Sequence, residues 1–82
     1  MHEVGIAASI LDAVRQESAG RQPARPVKVG VRIGEMAGID PDSLAFCFQA
    51  LVKGSGLEPL ELAIEPGADD ELDFIYLELE EP

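Results

Sequence analysis

The chain has 82 residues, 46% of them hydrophobic, and its 16 acidic residues against six basic ones give a formal net charge of −10. A chain of this length folds as one domain with a modest core. The six basic residues are too few, among 16 acidic ones, to form the Lys/Arg patch that binds nucleic acid. No apolar run approaches the roughly 18 residues that span a membrane. We therefore expect one domain over residues 1–82 that binds neither nucleic acid nor membrane. The start carries no basic region or continuous apolar run of a signal peptide, which favours a cytoplasmic protein.

The charge distribution and the single cysteine limit the kinds of binding site that the chain could carry. No basic residue follows Lys53, whereas the tail is rich in acidic residues. Such a run is commonly a solvated surface, and the alternative is an acidic face that docks a basic partner. The single cysteine, Cys47, excludes an internal disulfide and a multi-cysteine zinc site, and its apolar surroundings favour a buried small hydrophobe over a reactive thiol.

The first predicted element is an amphipathic helix from Glu3 to about Ala19. Glu3 suits the positive end of the helix dipole, and Gly20 is a natural stop. His2, the only histidine, therefore lies within one turn of a fixed element. Apolar residues recur at three- and four-residue steps along one helix face: Val4, Ala7, Ile10, Leu11 and Val14.

A strand and a second helix are predicted next. Apolar residues alternate with polar or small ones from Val27 to Ile33, which indicates a strand with one apolar face. Asp40 is placed to cap a helix whose first residue is Pro41, and that helix continues to about Lys53. Its apolar face comprises Leu44, Cys47, Phe48, Leu51 and Val52.

Two more strands complete the chain, at Leu60 to Glu65 and at Leu72 to Glu80. In the last strand, Ile75, Leu77 and Leu79 share one face while Phe74 and Tyr76 point the other way. Either both faces are covered near the start of this strand or a bulge changes its phase.

These elements predict a two-layer α+β domain in the order α-β-α-β-β, with two helices packed on one side of a three-stranded mixed sheet. The first two strands, joined by a helix, are expected to run parallel in a right-handed crossover. The last two are close enough in sequence to form an antiparallel hairpin. No second histidine exists to activate a serine, and the glycines lack nucleotide-binding spacing, so we do not expect an enzyme.

Five short motifs, in this order along the chain, resemble those of one family: Met1-His2-Glu3-Val4, Val31-Arg32-Ile33-Gly34-Glu35, Gly38-Ile39-Asp40-Pro41, Leu44-Ala45-Phe46-Cys47-Phe48, and Asp70-Glu71-Leu72 leading to Leu77-Glu78-Leu79-Glu80. The chain is similar to the HypA/HybF nickel metallochaperones of hydrogenase maturation. The resemblance implies Ni(II) as cargo, delivery to a [NiFe]-hydrogenase, and two partners, a hydrogenase maturation GTPase and the hydrogenase large subunit precursor. A homodimer is a further possibility.

One departure from the family is large. Its members carry a zinc-binding insertion with two Cys-x-x-Cys pairs before the last strand, whereas here that interval is only residues 66–70. The four cysteines do not exist in this sequence, so no zinc is expected. The chain is either a zinc-less relative or one from which the insertion was removed.

The resemblance makes the N-terminus the expected metal site. The Met1 amine, the His2 amide nitrogen and His2 Nδ1 can form fused five- and six-membered chelate rings, and this nitrogen-rich set suits tetragonal Ni(II) or Cu(II). Glu3, through its amide or carboxylate, Asp40, or water would supply a fourth donor, although capping alone also explains Asp40. The alternative function is a non-metal adaptor that binds maturation partners through the acidic strand face.

Overall fold

The structure, a computed structural model, describes residues 2–82. The predicted α+β class is confirmed, with every boundary within about two residues of its expected place. Within the described residues, neither helix is long and apolar enough to cross a membrane. The elements are α1 (Glu3–Ala19), β1 (Arg25–Gly34), α2 (Pro41–Val52), β2 (Glu61–Gly67) and β3 (Leu72–Glu80).

The strand order is β2-β1-β3, so β1 is the central strand. It runs parallel to β2, with Val29 beside Leu62, and antiparallel to β3, with Val29 beside Leu77. The predicted parallel crossover from β1 to β2 is therefore confirmed, and the sheet is mixed. The predicted β2–β3 hairpin is wrong, because the two strands lie on opposite sides of β1.

The short connector between β2 and β3 crosses the end of β1 instead of turning back on β2. Gly34 donates its backbone N–H to the carbonyl of Glu71 across 2.8 Å, and Met36 donates to the carbonyl of Asp69 across 2.7 Å. A β-carbon on Gly34 would collide with the Asp69 carbonyl oxygen. The missing side chain at Gly34 thus leaves the connector room to pass over the central strand, and this explains why short sequence separation did not produce a hairpin.

The core lies between the sheet and the two helices, as the apolar patterns predict. Val4 is an exception, because the residue is 56% exposed. Cys47 is partly buried and packs against the core, as expected of a small hydrophobe. The buried cluster is formed by Ala7, Ile10, Leu11, Val14, Val29, Val31, Ile33, Leu44, Phe48, Val52 and Leu60.

A bulge in β3 resolves the ambiguous phase of that strand. Tyr76 pairs with Gly30 and Phe74 pairs with Val31, so Ile75 has no partner of its own on β1. The extra residue puts Phe74 on the helix side of the sheet with Leu77, and the expected grouping of Ile75 with Leu77 is wrong. On the opposite side, which we call the open face, the Tyr76 ring covers Gly30, where a β-carbon would collide with it.

Candidate metal centre

His2 is the residue immediately before α1, and the first turn of the helix fixes its backbone. It has extended dihedral angles (φ −85°, ψ 92°). Its carbonyl accepts hydrogen bonds from the N–H groups of Gly5, at 3.1 Å, and Ile6, at 3.3 Å. The predicted restraint of His2 by the helix is therefore present at the main chain. Met1, the other predicted donor, lies outside the described residues.

The nitrogens of His2 are accessible to a ligand. The N–H of the residue that precedes a helix points away from the helical hydrogen-bond ladder. Within residues 2–82 the imidazole makes no capping bond to α1, and the residue is exposed. A metal ion could therefore bind the amide nitrogen and the imidazole of His2 without breaking a helical hydrogen bond.

Glu3 and Asp40 meet at the start of α2. Oε2 of Glu3 accepts a hydrogen bond from the backbone N–H of Asp40 across 3.2 Å. Oδ1 of Asp40 in turn accepts from the N–H groups of Asp42, at 3.0 Å, and Ser43, at 3.4 Å. The capping role predicted for Asp40 is confirmed, and both carboxylates satisfy backbone donors at the N-terminus of α2.

The side chains of these residues do not form a carboxylate-rich metal cage. Across residues 2–82, no group of three or more His, Cys, Asp and Glu side chains is placed to hold a metal ion. The chelate expected from the sequence uses a different donor set, two main-chain nitrogens and one imidazole. The structure thus joins Glu3 to Asp40, and the exposed His2 directly precedes Glu3 in the chain.

The electrostatics of this corner contain opposing contributions. The N-terminus of a helix carries partial positive charge, which disfavours a nearby cation by about 0.3–1 kcal/mol at exposed sites. Glu3 lies in the first turn of α1 and Asp42 in the first turn of α2. These two carboxylates offset the dipoles, and loss of the amide proton on chelation would remove one further positive charge.

An apolar groove begins at His2 and runs between α1 and β3. Its volume is about 450 Å³. Leu72 and Phe74 on its β3 wall are 43% and 39% exposed, which is high for large apolar side chains. The sequence reasoning missed this groove, and the interrupted alternation in β3 was the signal that could have revealed it. The lining residues are His2, Gly5, Ile6, Ser9, Ile10, Ala13, Val31, Leu72 and Phe74.

Comparison with a solved structure supports the fold. The solution structure of the Ni metallochaperone HypA from Helicobacter pylori matches with a TM-score of 0.73 at 22% identity, covering 82% of this chain and 58% of that one. At this identity the likeness establishes the fold alone. The fold is therefore that of a small two-layer α+β domain, with the exposed His2 directly before its first helix.

Sequence comparisons identify the family. A family profile described as "Hydrogenase/urease nickel incorporation, metallochaperone, hypA" matches residues 1–68. The chain is 46% identical to the hydrogenase maturation factor HypA of Chlorobium limicola over 65 residues, which are 79% of this chain and 56% of that protein. It is 38% identical to HypA of Streptomyces avermitilis over 66 residues, 79% of this chain and 50% of that protein. The chain belongs to the HypA family, and it spans about half the length of the curated relatives it matches.

Proposed function

We propose that this chain binds Ni(II) at its N-terminus and delivers it during maturation of a [NiFe]-hydrogenase. The observation that carries the proposal is the position of His2, exposed and directly before α1, with its amide nitrogen outside the helical ladder. Membership of a family described by nickel incorporation supports the same reading. The proposed role is carriage of a metal ion as cargo, without catalysis, in the cytoplasm.

The proposed donors are the amine of Met1, the amide nitrogen of His2 and its Nδ1. The fourth position would be filled by Glu3, by Asp40 or by water. The amide of Glu3 is the better placed of the protein donors, because it too precedes the helical ladder. Asp40 is less available, since its Oδ1 already accepts two backbone hydrogen bonds. Four donors of this kind suit the tetragonal geometry of Ni(II).

The family also suggests the partners. We assign a hydrogenase maturation GTPase and the hydrogenase large subunit precursor as the proteins that meet this chain. Zinc has no place in the proposal, because the sequence holds one cysteine and one histidine and structural zinc sites use four such ligands. An exposed chelate at a chain terminus suits transfer, because an incoming ligand can reach the metal without unfolding the carrier.

Isothermal titration with Ni(II) tests the site. Replacing His2 with alanine, or adding one glycine before Met1, should weaken binding at least about tenfold, a loss of roughly 1.4 kcal/mol. Asp12→Asn, at an exposed position later in α1, is the matched control, with affinity expected to stay within about threefold. Wild-type affinity should also fall on acidification, because the nitrogen donors must lose protons to bind. Equal affinity in the wild type and His2→Ala would place the nickel elsewhere.

A second candidate function is a metal-independent adaptor that uses the acidic strand face. The open face favours it: Lys28 lies in register between Glu61 and Glu78, so that row carries excess negative charge. Absorbance titration with Ni(II), followed by capture of a purified hydrogenase large subunit, separates the two functions. Capture that persists in His2→Ala, with no nickel bound by the wild type, would favour the adaptor.

A further inference from the structure

Two sheet edges are unpaired among residues 2–82, the outer edges of β2 and β3. An unpaired edge presents backbone donors and acceptors to any extended segment that approaches it. The seven residues of β2 include Pro66, which has no N–H to donate. The nine residues of β3 include no proline. The β3 edge is therefore the better template for an added strand.

The two edges also differ in how well the helix side of the sheet is covered. Phe74 of β3 and Ile64 of β2 flank the same residue of β1, Val31. Ile64 is partly buried against the core, whereas Phe74 is 39% exposed in the groove. Leu72, on the same wall, is 43% exposed. A strand added beside β3 would place every second side chain over this groove. Apolar residues at those positions would cover Leu72 and Phe74.

The opposite side of β3 is acidic. Asp73, Glu78 and Glu80 alternate with the apolar residues of the strand and lie on the open face, and no basic residue follows Lys53. Arg32 pairs with Asp73 in register, but its guanidinium is bound to Glu65 at 2.7 Å. Glu80 is bound by Arg25 at 3.1 Å and Glu78 lies in register with Lys28, but the three bases of β1 face five acids of β2 and β3 across the open face. The side chains that an added strand directs to this face would therefore meet a net negative charge, and basic residues would suit these positions.

We propose that the free edge of β3 and the adjoining groove bind an extended segment of a partner protein in which apolar and basic residues alternate, adding it to the sheet as a fourth strand. The apolar side chains lie in the groove between α1 and β3. The basic side chains face the acids of the open face. Because His2 lines the same groove, the bound segment lies beside the N-terminus.

A second copy of this chain fits the edge less well. Pairing of β3 with another β3 would bring two acidic strands together, and like charges opposite each other destabilise a sheet. With a net charge of −10 on each copy, self-association is opposed further. The complementary partner is therefore a basic segment of another protein.

Fluorescence anisotropy with a designed peptide tests this surface in metal-free protein. The probe is as long as β3, nine residues, blocked at both ends, and alternates valine with lysine. A control peptide has the same composition with its valines and lysines in separate blocks. At about 0.1 M salt, where charge attraction is partly screened, the alternating peptide should bind at least about tenfold more tightly than the control.

Matched variants locate the binding. Phe74→Gln should weaken it at least about fivefold, whereas Phe46→Gln, at a 76% exposed phenylalanine of α2, should leave it unchanged. Asp73→Asn changes an exposed side chain, and it should weaken binding and reduce its salt dependence. Amide NMR shifts on peptide addition should concentrate in β3 and the facing turns of α1.

Three results would overturn the proposal. Equal binding of the two peptides would indicate charge attraction alone, and full affinity in both Phe74→Gln and Asp73→Asn would move the site elsewhere. A dimer in sedimentation velocity that Phe74→Gln abolishes would show that a second copy occupies the edge. Because the assay contains no nickel, each of these outcomes is independent of the nickel titration.

Discussion

The carboxylate of Glu3 accepts a hydrogen bond from the backbone N–H of Asp40, 37 residues along the chain, across 3.2 Å, and so joins the starts of the two helices. Asp40 uses its own carboxylate to cap α2. Glu3 therefore accepts from the N–H of Asp40, to which the Asp40 carboxylate does not bond. This hydrogen bond also links the first turn of α1, directly after His2, to the start of α2.

This link predicts a difference between two substitutions of Glu3. Alanine removes the acceptor and should lower the free energy of unfolding by about 0.5–1.5 kcal/mol, the net value of a typical hydrogen bond. Glutamine keeps an oxygen at the same position and should lose less than half of that. Urea denaturation followed by circular dichroism measures both. Equal losses in the two variants would show that charge, not the hydrogen bond, is what Glu3 contributes.

Phe46 and Phe48 lie on opposite sides of α2 and should respond very differently to truncation. Phe48 is fully buried, so Phe48→Ala should cost about 3–5 kcal/mol through lost burial and a cavity. Phe46 is 76% exposed, so Phe46→Ala should change stability by no more than about 0.5 kcal/mol. Both free energies come from urea denaturation. A large loss at Phe46 would mean that this face of α2 is covered in solution.

Gly34 and Gly5 should respond in opposite directions to alanine. A β-carbon at Gly34 would collide with the backbone of the connector, which cannot rotate aside as a side chain can, so Gly34→Ala should cost about 1–3 kcal/mol. Gly5 is in α1 with open space around it, so Gly5→Ala should stabilise the protein by roughly 0.5–1 kcal/mol through helix propensity. Thermal and urea unfolding measure both. A neutral Gly34→Ala would show that the connector can move away from β1.

Glu58 should make stability depend on pH. Its carboxylate accepts hydrogen bonds from the N–H groups of Gly54, at 2.6 Å, and Gly56, at 3.1 Å, and these bonds, led by the one from Gly54, hold the pKa of Glu58 below its ordinary value of 4.5. A lowered pKa stabilises the folded state above pH 4.5, and this contribution disappears as the pH falls through the folded-state pKa.

Glu58→Gln should therefore lower Tm at neutral pH, and the gap to the wild type should narrow as the pH falls below about 4.5. Scanning calorimetry over the acid range measures it. Glu81→Gln, in the exposed tail beyond β3, is the matched control and should leave Tm unchanged. A gap that stays constant across the range would mean that the carboxylate charge has no part in holding the Gly54–Glu58 loop.

Local sequence signals predicted each element of the fold. The alternation in β1, the Asp40–Pro41 helix start and the periodicity of both helices depend on neighbouring residues, so one-dimensional patterns reveal them. The placement of β2 and β3 on opposite sides of β1 could not be read in this way. It depends on the connector passing over the end of β1, which is possible because Gly34 has no side chain to obstruct it. The absence of a side chain gives no periodic signal in the sequence.

The candidate site was predictable only in part. The accessible nitrogens of His2 follow from its place before a helix, which the sequence indicates. The Glu3–Asp40 link was hidden, because it joins a side chain to a backbone amide far along the chain. The groove beside His2 was hidden as well, because the bulge at Ile75 shifts Phe74 onto the helix side, and the sequence left that bulge as one of two alternatives.

The central position of β1 has a consequence for how the chain can vary in length. Each edge strand pairs with β1 alone, so no strand pairing spans the junction between β2 and β3. Extra residues inserted there would break the hydrogen bonds from Gly34 and Met36 to the connector. They would also add an entropic cost of closing a longer loop, and that cost grows only slowly with loop length. We therefore expect the sheet, the helices and the His2 corner to tolerate a second folded unit inserted at this junction.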